Sequence, residues 1–220
     1  YAKIKYLLSK TYYFKEVIVF IDISDIQDEV DYNLNSDDVV VARSNLVGKP
    51  PKNKFKSFLR ENFPATFFSL KGLKLYFYYT FTPPSKVYDI ADLPRAEWTY
   101  NLKSDAYGLM GVEKAIEKSI LIMNKLYDLL KKNNIDLSIA VYPQPTQLKH
   151  DSVNNLQAKI WSEFCENRCK KFYNFMYIFY DYMDRHGLED TLRRFYFLGD
   201  VHFNKKGNEI IAQEFLKKYQ

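Results

Sequence analysis

The hydrophobic pattern changes period several times along the chain, and each change predicts an element. Ala2 to Lys10 places Ile4, Leu7 and Leu8 on one helical face. Glu16-Val-Ile-Val-Phe-Ile-Asp22 is an unbroken apolar, β-branched run that ends in an acid. Such runs belong to strands buried on both faces, as in a parallel sheet. From Gly111 to Asn133 the period is helical, with Val112, Ile116, Ile120, Met123, Leu126, Tyr127 and Leu130 recurring at three and four. Asp136-Leu-Ser-Ile-Ala-Val-Tyr142 is a second buried-strand run, closed by Pro143 and Pro145. Asn154 to Cys169 reads as helix and Phe172 to Tyr180 as a strand followed by a turn. Lys205 to Lys218 reads as a closing helix with Ile210, Ile211, Phe215 and Leu216 inward.

Strands alternating with helices predict an α/β domain with a parallel sheet, and ligands of such sheets bind beyond the carboxyl ends of the strands. Three polar clusters fall at such ends: Asp22 to Glu29, Tyr142 to Gln147 and Asp200 to Asn204. The 220 residues suit one domain. Its middle, at about residues 31–100, is expected to be a mostly helical, irregular insertion away from the sheet. Turn signals stand at Asn35 to Asp38, Lys49-Pro-Pro-Lys52 and Pro83-Pro84. Phe55 to Asn62 and Phe67 to Phe81 read as helices, the second dense in Phe, Tyr and Leu. Aromatic stripes usually lie in a core, so this one is expected to bury its rings; the other reading is a surface that meets a membrane or a partner.

Composition narrows the function. Apolar residues make up 47% of the chain and charged residues 27%, enough for a packed core. No window of 18 uncharged apolar residues exists, so no transmembrane segment is expected. Seven glycines exclude a multi-glycine phosphate loop, which weakens any nucleotide-binding reading. The net charge of +5 selects no partner, and Lys and Arg lack the aromatic interleaving of a nucleic-acid groove, so no nucleic acid is expected. Cys165 and Cys169 stand four apart, which leaves a disulfide or two reduced thiols open. A disulfide points to an extracytoplasmic location, periplasmic, secreted or membrane-anchored.

The sharpest local signal is Leu198-Gly-Asp-Val-His-Phe-Asn-Lys-Lys-Gly-Asn208. Asp200, two residues before His202 in a loop that leads into a helix, can hold the imidazole through Nδ1 and leave Nε2 as a general base. The plainer reading is a helix-start loop in which Asp200 or Asn204 caps. Asp22, Asp25, Asp28 and Glu29 could ligate a divalent cation, but clustered loop acids are more often caps and solvated surface, so no metal and no other cofactor is expected. Tyr142-Pro-Gln-Pro-Thr-Gln147 is a pocket wall or a proline-stiffened loop.

The segment from Gly199 to Ala212 resembles the last motif block of the SGNH (GDSL-type) hydrolases, and its Asp-x-His spacing is similar to that of the alginate-acetylation branch. The resemblance implies a flavodoxin-like three-layer α/β/α fold and a Ser-His-Asp triad in which His202 and Asp200 are the catalytic base and its partner. The Val17 to Ile21 run and Asp22-Ile-Ser-Asp25 sit where that family has its Gly-x-Asn-Asp block. There Asp22 replaces the Gly, Ser24 replaces the oxyanion-binding Asn and Asp25 stays Asp, so Ser24, Asp22 and Asp25 are expected to line the oxyanion pocket. The family's Gly-Asp-Ser block is absent, and no Gly-x-Ser-x-Gly occurs. Two accounts are open: the chain lacks its first strand and nucleophile, which then lie upstream of Tyr1, or it never had the serine. The first is preferred. Ser24 itself has no nucleophile elbow around it. The implied activity is a serine esterase or O-acyltransferase on carbohydrate or cell-envelope esters, inactive as this chain alone. The alternative is a non-catalytic carbohydrate-binding or assembly domain on the same fold.

Overall fold

In the computed structural model, which describes residues 1–35, 38–42, 54–82 and 94–219, the apolar runs form one parallel sheet. Strand β1 is Glu16–Ile21, β4 is Asp136–Val141 and β5 is Lys171–Asn174. The order is β1-β4-β5, with Val17 beside Leu137, Ile21 beside Val141 and Val141 beside Asn174. Leu137 to Val141 are all buried, because β4 is the central strand. Ser138 is polar inside that run, yet satisfied. Its hydroxyl donates to Glu16 Oε1 at 2.5 Å and accepts from the Lys171 N–H at 3.2 Å, so it ties the amino ends of three strands together.

Helices cover both faces. α5 (Gly111–Lys132) and α7 (Leu156–Cys165) lie on the side of Val19 and Ile21, where Leu126 and Trp161 meet them at one cleft. α10 (Lys205–Tyr219) lies on the other, with the Phe215 ring 6.1 Å from Phe20 and 5.1 Å from Tyr173. The expected α/β class and parallel strands are therefore present. The expected burial of β1 on both faces is not. β1 is an edge strand, no described strand pairs with its outer side, and Phe20 is 43% exposed. A parallel run is covered on both sides only when it stands inside a sheet.

The remaining elements are α1 (Ala2–Ser9), α2 (Asp25–Asp31), α3 (Lys54–Asn62), α4 (Pro64–Phe81) and two 3₁₀ turns, Pro94–Thr99 and Asp105–Met110. They are joined by α6 (Pro145–His150), α8 (Met176–His186) and α9 (Leu188–Phe195). β2 (Tyr32–Leu34) and β3 (Val40–Ala42) make a separate antiparallel pair that the sequence pattern did not announce. The chain is back in the core by Ala96 and Trp98, both fully buried, before the expected limit of the insertion near residue 100. The signals at Lys49 to Lys52 and Pro83-Pro84 lie outside the described residues. Among the described residues no helix is long and apolar enough to cross a membrane.

Three further expectations are corrected. The aromatic helix α4 does not bury its rings: Phe68, Tyr76, Phe77 and Phe81 are exposed, and among the described residues α3 alone gives it substantial cover. Only the start of Phe172 to Tyr180 is strand. Asn174 Oδ1 accepts from the Met176 N–H at 2.9 Å and opens α8 where a turn was expected. Leu216 points outward, 61% exposed, while Ile210, Ile211 and Phe215 pack against the core.

Cys165 and Cys169 are joined in a disulfide, with Cα atoms 4.6 Å apart. They do not share a helix as expected. α7 ends at Cys165, and the turn that follows brings Cys169 back toward it. Closing so short a loop is worth about 2 kcal/mol in the chain-entropy treatment.

Candidate functional site

The carboxyl ends of β1 and β4 carry a polar network centred on Asp22. Asp22 Oδ1 accepts from the Ser24 N–H at 2.8 Å and from Ser24 Oγ at 2.7 Å. The Asp22 N–H donates to Asp25 Oδ2 at 2.8 Å, so the two acids hold each other's loop in place. Across the sheet, Gln144 Nε2 donates to both Asp22 oxygens at 2.8 and 2.9 Å, and Tyr142 Oη reaches Oδ2 at 3.4 Å.

A buried layer fixes this arrangement from below. Gln147 Oε1 accepts from the Gln144 N–H at 3.0 Å, Gln147 Nε2 donates to Gln157, and Gln157 Nε2 donates to the Ile21 carbonyl at 3.1 Å. The Trp98 indole N–H donates to the Ile23 carbonyl at 2.7 Å, and Tyr196 Oη donates to the Pro143 carbonyl at 2.7 Å. Gln147, Gln157 and Trp98 are essentially without solvent contact. Buried amides whose oxygen and nitrogen are both engaged in this way favour one loop geometry, because any other leaves desolvated donors.

Asp200 and His202 come together as the sequence predicts, with Asp200 Oδ1 2.5 Å from His202 Nδ1. The same oxygen accepts from the His202 N–H at 3.2 Å. Desolvation pushes the Asp200 carboxyl up; the bonds from the His202 ring and backbone outweigh it and hold the acid below the usual carboxylate range. The loop owes its shape to the residues that follow. Asn204 Nδ2 donates to the Arg194 and Tyr196 carbonyls, and Asn204 Oδ1 accepts from the Gly207 N–H, capping α10. Gly207 must be glycine, since a Cβ there would stand 2.3 Å from the Phe195 carbonyl oxygen.

The two groups do not touch each other through any described hydrogen bond. They share Tyr142, whose ring lies 5.5 Å from Phe203 beside His202 and whose hydroxyl faces Asp22. Ser24 does not stand as an open oxyanion donor, because both its N–H and its hydroxyl are spent on Asp22. Nor is its hydroxyl paired with an imidazole, as a serine nucleophile requires. Among the described residues no three His, Cys, Asp or Glu side chains are grouped to hold a metal ion.

Gln144, Gln147, Gln157 and Trp98 escape sequence reading as site residues. The Gln144 and Gln147 pair at a helix start is the one available signal, since a side-chain amide three residues in can close on the first N–H. Gln144 Oε1 is buried and has no partner among the described residues.

Asp25 is the most strongly perturbed acid of the cluster, and burial raises Glu29 as well. Burial pushes the Asp25 carboxyl up to about 6, with the charges of Asp22, Asp28 and Glu29 adding to the rise and the Asp22 N–H opposing it. The same burial, and then Asp22 and Asp25, push the Tyr142 phenol far up, so it stays a neutral donor. The folded state holds the Asp25 proton where the unfolded chain has lost it. Its contribution to stability is therefore full below about pH 4 and fades as the pH rises through 6. Asp25→Asn removes that slope. Its stability relative to wild type is expected to rise by about 2 kcal/mol between pH 4 and pH 8, read from urea midpoints; a difference that does not vary with pH defeats the assignment.

No family model matches the chain, and neither does any curated protein or solved structure.

Proposed function

We propose that the chain is the His-Asp half of an SGNH-type serine esterase or O-acyltransferase acting on carbohydrate or cell-envelope esters, with the nucleophile supplied by a strand outside these 220 residues. The observation that carries the reading is the Asp200–His202 pair, 2.5 Å apart on a loop that Asn204 and Gly207 hold at the start of the last helix. In that geometry Asp200 accepts the Nδ1 proton and fixes the tautomer, and Nε2 is left to accept a proton from a serine hydroxyl. The serine oxygen then attacks the ester carbonyl, and His202 passes its proton to the leaving alcohol. Water or a sugar hydroxyl resolves the acyl-enzyme.

The sheet supports the same reading. The outer edge of β1 is unpaired among the described residues, Phe20 is part-exposed, and a cleft of about 290 Å³ lies beside Val19 and Ile21. An apolar parallel edge of this kind is a place for a further strand. In the SGNH arrangement, that strand brings the serine to the carboxyl end of the sheet. Asp22 and Gln144 then act as a rigid floor, and the oxyanion donors come with the nucleophile's own loop, since those of Ser24 are engaged. The disulfide agrees with an extracytoplasmic location.

One observation favours the non-catalytic reading, a carbohydrate-binding domain. Among the described residues Asp22 Oδ2 accepts only from Gln144 Nε2 and, at 3.4 Å, from Tyr142 Oη, so this part-buried oxygen has a lone pair that a sugar hydroxyl would satisfy. Labelling decides between them. The gene product that contains this chain, treated with a fluorophosphonate, is expected to take up one label on a serine outside residues 1–220 and to hydrolyse aryl acetates. Folded protein that neither labels nor turns over would sink the esterase and leave the binding domain.

A further inference from the structure

The helical hairpin α3–α4 has a surface that the esterase reading does not use. Among the described residues its helices find their main packing partner in each other. Phe67 lies 5.4 Å from Phe68 and Phe77 lies 5.8 Å from Tyr76, both edge to face, and Phe77 stacks on Phe81 at 6.1 Å, so the rings contact one another. They remain open to solvent: Phe58 is 52%, Phe68 58%, Tyr76 64% and Phe81 76% exposed. Between the helices runs an apolar groove of about 400 Å³ lined by Leu59, Phe67, Leu70 and Leu75, with Lys71 and Lys74 among its walls. A helix that is apolar nearly all round is normally enclosed on every side. Nothing among the described residues encloses this one.

Charge identifies what does. Residues 54–81 contain five Lys or Arg, namely Lys54, Lys56, Arg60, Lys71 and Lys74, against the single acid Glu61. The hairpin thus holds +4 of the chain's net +5. A second copy would bring two such charges face to face. A protein groove would cover one stripe of α4 and leave the other apolar positions wet. An anionic lipid surface answers both features, since it attracts the lysines and takes up rings on several sides. Phe and Tyr suit the headgroup boundary, and lysine stems reach from apolar depth to the phosphates. α4 has 18 residues, and no described helix is long and apolar enough to cross a membrane, so an interfacial seat fits this hairpin better than a span.

We propose that α3–α4 is a membrane-interface anchor that seats the domain on an anionic bilayer. The proposal is independent of the chemistry at His202. The test is flotation of the intact protein with vesicles of equal parts phosphatidylglycerol and phosphatidylcholine, beside vesicles of phosphatidylcholine alone. Wild type is expected to float with the anionic vesicles, to bind the neutral ones far less, and to be released in part by molar sodium chloride. Lys71→Gln with Lys74→Gln is expected to weaken partitioning roughly 30-fold. Phe68→Ser with Phe77→Ser is expected to abolish it, the far-UV circular dichroism of both variants matching wild type. Wild type that stays unbound with anionic vesicles overturns the proposal. So does binding that neither double substitution alters, and so does a dimer in sedimentation that Phe68→Ser with Phe77→Ser disperses, which would give the surface to a second copy.

Discussion

Replacing His202 with alanine is expected to lower ester turnover by about 10⁴-fold or more in the protein that carries the nucleophile, with folding almost untouched. The two halves of that expectation have separate grounds. The His202 side chain is 77% exposed, and among the described residues its side-chain partner is Asp200. Removing an exposed ring with one solvent-facing bond changes stability by no more than about 0.5 kcal/mol. Turnover depends on the same ring differently, because a serine hydroxyl is a poor nucleophile until a base removes its proton. Asp200→Asn keeps the loop but offers Nδ1 a mixed donor and acceptor, so it is expected to lose activity through the wrong tautomer, by up to about 10⁴-fold. The pair of substitutions together should cost little more than His202→Ala alone, since both act on one proton. Steady-state hydrolysis of an aryl acetate beside urea denaturation measures both halves. Undiminished turnover in His202→Ala defeats the triad reading, and a large fall in the urea midpoint shows that the loop is structural.

Part of this molecule is legible in its sequence because the signal is physical and local. Val17 to Ile21 and Leu137 to Val141 are unbroken apolar runs, which marks both as parallel strands, although only the second is buried throughout. The α5 and α10 periods are long enough to need no context. Asp200 and His202 are two residues apart, so their contact is settled by one loop. What was hidden depends on neighbours far along the chain. Phe20 is as apolar as Ile139, and only the strand order decides that one stands at an edge. The rings of α4 have the composition of a core, and their exposure among the described residues cannot be read from their order. Leu188–Phe195 is a helix whose charged face masks its short apolar stripe of Leu192 and Phe195. Gln147 and Gln157, ten residues apart in sequence, are fully buried because they bond to each other and to the Gln144 N–H and the Ile21 carbonyl. Glutamine in a polar segment predicts the opposite.

Trp98 belongs to the hidden set, and it supports the largest stability change expected here. Trp98→Ala should destabilise the fold by about 3–5 kcal/mol, a large share of the total for a domain of this size. The indole is fully buried against the core, so its loss leaves a cavity under the loop that carries Asp22 to Asp25. Its N–H is also the donor to the Ile23 carbonyl at 2.7 Å, and Ile23 is itself completely buried, so that carbonyl would be left without its partner. A comparison separates the two contributions. Trp161 is equally buried, yet its indole N–H has no partner among the described residues. Phenylalanine at either position removes a similar part of the ring, but only at Trp98 does it remove a hydrogen bond. Trp98→Phe is therefore expected to cost about 1–2 kcal/mol more than Trp161→Phe, read from urea midpoints at a common slope. Equal costs would mean that the indole acts by volume alone and that the Ile23 carbonyl finds another donor. A larger cost at Trp98 would identify this residue, from the far side of the inserted segment, as the pin that holds the Asp22 loop against the end of the sheet.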